Sequence, residues 1–191
     1  MKPHKKKRFY ILGLFTLSFS LSAVGAELNR AEVKKLLEKA DKEHPAQLRR
    51  KDLRRVDLSD LDFRHADLWG ADLRKANLSK SNLSGLNLDL TVMTGINLSG
   101  SNLSNTSIFG VSMVGADLSN ANLSGSRIIA ILDRANLSNA NLSNVDWGVD
   151  MKNQPMGLMR VSLKGANLSK TNLTNANLSR AMLKFADLSN A

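Results

Sequence analysis

Ala116-Asp117-Leu118-Ser119-Asn120-Ala121-Asn122-Leu123-Ser124-Gly125 states one phrase twice: a small residue, an Asn or Asp, a leucine, a serine and a variable fifth residue. The phrase recurs between Leu53 and Leu188, as at Ala71-Asp72-Leu73, Ala166-Asn167-Leu168 and Ala186-Asp187-Leu188. A period of five fits neither the 3.6 of a helical stripe nor the 2 of a strand. Fixed-period self-similarity is the sign of a solenoid, in which each unit buries its apolar face against its neighbours. Only a small residue can share a narrow interior with a leucine on every side, which places both the leucine and the residue two before it inside. Backbone groups must then pair between coils, at the ordinary inter-strand spacing of about 4.8 Å.

The composition suits such a chain better than an ordinary globular domain. Aromatics make up 5% of its 191 residues, and cysteine is absent, which excludes disulfides, thiol nucleophiles and thiolate metal sites. The formal net charge of +10 is unevenly placed. Lys2, Lys5, Lys6, Lys7 and Arg8 open the chain, and residues 27–55 hold ten basic against six acidic residues. From Val56 onward twelve basic residues meet eleven acidic, so the repeat body is near neutral.

The N-terminus reads as an export signal. A basic run to Arg8 precedes the uncharged, mostly apolar stretch Phe9–Ser22, and Val24 and Ala26 suit the −3 and −1 positions of a signal-peptidase site. The apolar stretch is shorter than the ~20 residues of a spanning helix. The expectation is cleavage after Ala26 and a periplasmic or secreted protein with no stable membrane insertion afterwards; the alternative is anchoring by an uncleaved signal. Residues 27–50 are expected to form a helical cap. Within Leu28–Gln47, Val33, Leu36, Leu37 and Ala40 make an apolar stripe, Asn29 and Glu32 are spaced as a capping box, and Pro45 marks the end.

From Lys51-Asp52-Leu53-Arg54-Arg55-Val56-Asp57-Leu58-Ser59 onward, residues 51–191 resemble the pentapeptide-repeat family, whose signature is A(D/N)LXX. The resemblance implies an all-β solenoid: a right-handed quadrilateral β-helix, here of about seven coils behind a short N-terminal α-helical cap. Four pentapeptides would make one square coil. The central residue i and the small residue i−2 would point inward, and i−1, i+1 and i+2 outward. Members of the family often dimerise through an open terminal coil, so a homodimer through the C-terminal coil is expected.

Departures from the beat carry the functional information. Central positions keep strict spacing from Leu53 to Ile128, then step by four to Leu132 and continue through Leu137, Leu142 and Trp147. From Trp147 to Leu158 the step is eleven, read as two repeats plus one residue, with an irregular insert near 148–157 that keeps the coil count. On the side centred on Leu68, Leu88, Ile108, Ile128 and Trp147, apolar residues replace the usual outward serines. Trp69, Leu90, Val92, Phe109, Val114 and Ile129 form a candidate partner-binding patch. Arg49, Arg50, Arg54, Arg55, Arg74 and Lys75 form a candidate anion-binding column.

Catalytic signals are missing. Asp57, Asp62, Asp67 and Asp72 fall on different sides, and His44 and His65 have no partner pattern for a triad or a zinc site. The Asn-Leu-Ser sequons, as at Asn77 and Asn122, come from the repeat itself. The reading is a non-catalytic exported scaffold, without cofactor or metal, binding an unknown protein or envelope component through a face of the solenoid. Nucleic acid is not expected as a partner. The alternative function, implied by the family, is DNA mimicry that protects gyrase; the basic charge and the signal stand against it.

Overall fold

The computed structural model describes residues 26–149 and 159–191. The expected export signal at residues 1–26 lies, but for Ala26, outside the described residues, as does most of the expected insert.

The cap helix α1 spans Arg30–Leu37. Asn29 Oδ1 accepts the N–H groups of Ala31 and Glu32, and Glu32 Oε2 accepts the Asn29 N–H at 2.8 Å, closing the capping box. Val33 is fully buried, and Leu28, Leu36, Leu37 and Ala40 pack against the first coil. The helix stops ten residues short of the expected end at Gln47. Asp41 Oδ1 accepts the N–H groups of Glu43 and His44 at 2.9 and 2.7 Å, a local turn that competes with helix continuation. The solenoid therefore begins at Ala46, not at residue 51, with Leu48 already fully buried.

Each coil takes four pentapeptides. β1 (Ala46–Gln47) pairs in parallel with β2 (Ala66–Asp67), and bridges such as Asp52↔Asp72, Asp57↔Asn77 and Asp62↔Asn82 repeat the twenty-residue step on the other sides. The four sides can be named by their central residues. Side A stacks Leu48, Leu68, Leu88, Ile108, Ile128, Trp147 and Leu178; side B starts at Leu53, side C at Leu58 and side D at Phe63. The longest continuous strands, β3 (Ser107–Ser112) and β4 (Arg127–Ile131), run from side A into side B.

Central and i−2 residues are buried through most of the body, as the five-residue pattern requires. Where i−2 is Ser or Thr, the hydroxyl bonds to the backbone: Ser101 and Thr106 donate to Leu98 and Leu103 carbonyls at 2.6 and 2.8 Å. The i−1 Asn or Asp has its own task. Its Oδ1 accepts the N–H of residue i+1, as Asn97 does from Ser99 and Asn122 from Ser124. Amides also ladder between coils, as in Asn141 Nδ2 to Asn122 Oδ1 at 3.2 Å. The fifth residue, i+2, turns the corner in the left-handed region, with φ +65° at Gly115 and +58° at Asn120. This conformation explains the abundance of Gly and Asn at that place.

The second fault departs from the expected reading. At the first, Val111↔Ala130 shortens the coil step to nineteen, and β4 runs straight through the corner without an i+2 residue. At the second, Ile131 pairs with Ser162 and Asp146 with Asn177, both 31 apart. Side B therefore resumes at Leu163 directly after side A at Trp147, and the coil step here is eleven residues longer than the usual twenty. Two further repeats would have put Leu163 on side D rather than side B; Leu158 and residues 150–157 of the expected insert lie outside the described residues. In the ladder, Val149 N–H bonds to Ser179 and Ser162 N–H to Ala130.

Candidate interaction surface

The corner between sides A and B carries the apolar departures. Leu90 is 51% exposed at φ +59°, in a column where Gly70 and Gly110 hold the equivalent places. A bulky residue is rare in that conformation, because Cβ crowds the following carbonyl. Leu90 leans over Gly110, whose added Cβ would lie 3.5 Å from Leu90 Cδ2. Val92 on side B is 37% exposed, and Phe109 and Val114 are half-buried. Asp89 separates Phe109 from Trp69 along side A; its Oδ1 accepts the Phe109 N–H at 2.9 Å and the Ser107 hydroxyl at 3.1 Å.

Trp69 belongs as much to the basic group as to the apolar one. Arg49 stacks over its ring at 4.4 Å and Arg50 at 5.1 Å. Ile129 requires a correction, since it is only 3% exposed and so not part of an exposed patch. The four-residue step straightens β4 through the corner and seats Ile129 at a cavity of about 450 Å³, lined also by Val111, Ile131, Met159 and Met182. Ile131, 47% exposed, takes the outward place instead. The signal for Ile131 in the sequence is the same four-residue step, which shifts an isoleucine into an i−1 position.

Half of the basic column is neutralised from within. An Arg at i+1 reaches back to the Asp at i−1 of its own pentapeptide: Arg54 to Asp52, Arg64 to Asp62, and Arg74 to Asp72. Arg49 bonds to Asp67 at 3.0 Å, and Lys51 pairs with Glu27. The Arg54 hydrogen bond holds the Asp52 carboxyl down to about 2, and the same contact from Arg74 lowers Asp72. Among the described residues, Arg50, Arg55 and Lys75 make no ion pair with a carboxylate. The six-residue column therefore divides into three cations already matched and three at corners facing outward. Asp57, Asp62, Asp67 and Asp72 lie on four different sides, and no cluster of metal-binding residue types occurs among the described residues.

Pentapeptide repeats, in eight copies, match residues 57–95, 87–125, 130–147 and 158–191. The chain belongs to the pentapeptide-repeat family. The parallel ladder of twenty-residue steps is the solenoid expected of that membership. The protein is similar to HetL, a pentapeptide-repeat protein involved in heterocyst differentiation regulation in Nostoc sp. strain PCC 7120, at 24% identity over 86% of this chain and 92% of the other, with a TM-score of 0.34. A pentapeptide-repeat protein of the cyanobacterium Cyanothece 51142 shares 25% identity over 84% and 96% of the two chains, with a TM-score of 0.44. Full-length QnrB1, a plasmid-mediated fluoroquinolone resistance protein, shares 14% over 72% and 75%, with a TM-score of 0.35. No curated relative matches this pentapeptide-repeat protein.

Proposed function

We propose that this pentapeptide-repeat protein is a non-catalytic, exported scaffold that binds a protein or envelope component through the corner between sides A and B. The observation that carries the reading is Leu90: an exposed leucine held in a backbone conformation that its column neighbours meet with glycine. Exposed Val92 and Ile131 and half-buried Phe109 extend the apolar surface around it. The basic, apolar and small-residue order of residues 1–26 supports export to the periplasm or beyond. The solenoid is read as a right-handed quadrilateral β-helix of about seven coils, following the side A column from Leu48 to Leu178. Gyrase protection by DNA mimicry needs an acidic surface, whereas the corners present Arg50, Arg55, Lys75 and Lys80 outward.

The test uses the absence of cysteine in the chain. A photocrosslinker on Ser112→Cys, between Val92 and Ile131 in the side B column, is expected to capture a component of the envelope fraction, and one on Ser104→Cys, on side D, is not. Trp69→Ala with Phe109→Ala should abolish the capture; capture unchanged by that pair sinks the proposed corner. N-terminal sequencing of the fractionated protein checks export separately, with Glu27 as the expected first residue.

A further inference from the structure

A second costly placement lies on a different surface. Along the corner that follows side B, Gly95, Gly115, Arg134 and Gly165 turn the chain at positive φ, and the next residue in the column is Phe185, at φ +62°. Glycine takes this conformation freely, and a phenylalanine does not. Its ring is 83% exposed, with Lys184 Nζ 4.9 Å from the ring centre. Lys164 sits one coil away in the column of Lys184, and Lys170 at the next corner; all three lysines are exposed.

The near-neutral balance of the body hides this region. Residues 159–191 contain Arg160, Lys164, Lys170, Arg180 and Lys184 against a single acid, Asp187, which accepts the Ser189 N–H at 2.9 Å. Among the described residues, no ion pair joins Lys164, Lys170 or Lys184 to a carboxylate, unlike the arginines of the first coils. Asp133, in the same column as Lys164 and Lys184, is occupied by the Ser162 hydroxyl and the Lys164 N–H.

We propose that this corner docks on an anionic lipid bilayer, with Phe185 entering the boundary between headgroups and acyl chains and Lys164, Lys170 and Lys184 on lipid phosphates. A projecting aromatic ringed by uncompensated lysines matches that interface, where apolar burial and attraction to anionic headgroups act together. A single-stranded nucleic acid is a poorer fit, because stacking platforms for bases line a basic groove, whereas Phe185 stands on a convex corner. The surface is separate from the corner around Leu90, and the proposal stands or falls without it.

The experiment uses the full chain with Ser189→Cys carrying an environment-sensitive fluorophore, titrated with phosphatidylcholine vesicles with or without phosphatidylglycerol. Residues 1–25 bring a basic and apolar run of their own, so label position and variant-to-parent ratios are the readouts. The Ser189 label is expected to blue-shift only with phosphatidylglycerol, and a label at Ser104→Cys on side D to stay unchanged. Lys164→Gln and Lys184→Gln should each weaken the response about fivefold. Phe185→Gly should weaken it about tenfold or more while leaving the thermal midpoint unchanged or higher, since glycine fits the turn. Equal responses at residues 189 and 104, or parent-like binding by Phe185→Gly, overturn the proposal. So does a stronger response to polyglutamate or a single-stranded oligonucleotide, which assigns the corner to an acidic protein or to nucleic acid.

Discussion

Replacing Ser126 with alanine tests how the column of side A accommodates Trp147. The indole is fully buried in a file of leucines and isoleucines, and its Nε1–H donates to Ser126 Oγ at 3.1 Å, with Ser126 also fully buried. Ser126→Ala removes one oxygen and little volume but leaves the indole N–H without an acceptor, a loss of about 1–3 kcal/mol. For a chain of this length that is roughly 2–4 °C of melting temperature per kcal/mol. Trp147→Phe removes the donor and lets the Ser126 side chain turn so that its hydroxyl donates to the Leu123 carbonyl, as Thr171 does to Leu168 at 2.8 Å. In that background Ser126→Ala should remove only an ordinary hydrogen bond, about 0.5–1.5 kcal/mol. The double-mutant cycle should therefore show a coupling of about 1 kcal/mol. Urea and thermal unfolding followed by circular dichroism give the four stabilities, and Trp147 emission, read in a Trp69→Phe background, should shift blue in Ser126→Ala as the indole loses its polar partner. The reasoning fails if Ser126→Ala melts with the parent or if the cycle closes without coupling. Beside the pair, Arg127 Nη1 donates to the carbonyls of Asp146 and Gly148 at 2.7 and 2.9 Å and holds the backbone on both sides of Trp147.

Two further outcomes are expected. Leu123→Ala, deep in the interior, should lower stability by about 2–5 kcal/mol in chemical denaturation, because the stacked coils above and below cannot collapse onto the void. Arg54→Gln should raise the Asp52 carboxyl from about 2 toward its ordinary 3.8, read from the carboxyl carbon by NMR. The folded value lies below the unfolded one, so this carboxylate contributes stability that is complete above about pH 4 and is lost as pH falls through about 2. Asp62 and Asp72, lowered by their own arginines, act in the same direction. Acid unfolding of Arg54→Gln should accordingly start no lower in pH than that of the parent, and an Arg54→Gln protein whose Asp52 still titrates near 2 contradicts the assignment.

Local rules carried much of the fold. The capping box at Asn29 and Glu32 forms as its spacing requires, because both partners lie within one turn. The alternation of small residue and leucine maps onto the interior because every pentapeptide repeats the same geometry, so sides A to D could be laid out by counting in fives. That counting also separated Asp57, Asp62, Asp67 and Asp72 onto different sides. It failed at the end of the cap, where the Asp41 turn intervenes, and after Trp147, where counting in fives puts Leu163 on side D and the ladder puts it on side B. A central leucine looks the same in sequence on any side; only the Ile131↔Ser162 bridge assigns Leu163 to side B.

The candidate surface divides in the same way. Side and column for Trp69, Leu90, Val92, Phe109 and Val114 follow from the period alone. The burial of Ile129, the exposure of Ile131 and the pairing of Arg49 with Asp67 depend on how neighbouring coils and side chains meet in space. The averaged charge of the body likewise concealed that arginines of the first coils face their own aspartates while Lys164, Lys170 and Lys184 do not. By itself the sequence determined that this is a solenoid, how its interior is filled and which pentapeptides break the pattern, because those are properties of a repeated local unit. The tertiary structure alone decided on which side the coil resumes after Trp147, which outward residues are covered and which charges stay unmatched. Those depend on contacts that a five-residue period does not encode, most of them between residues twenty or more apart.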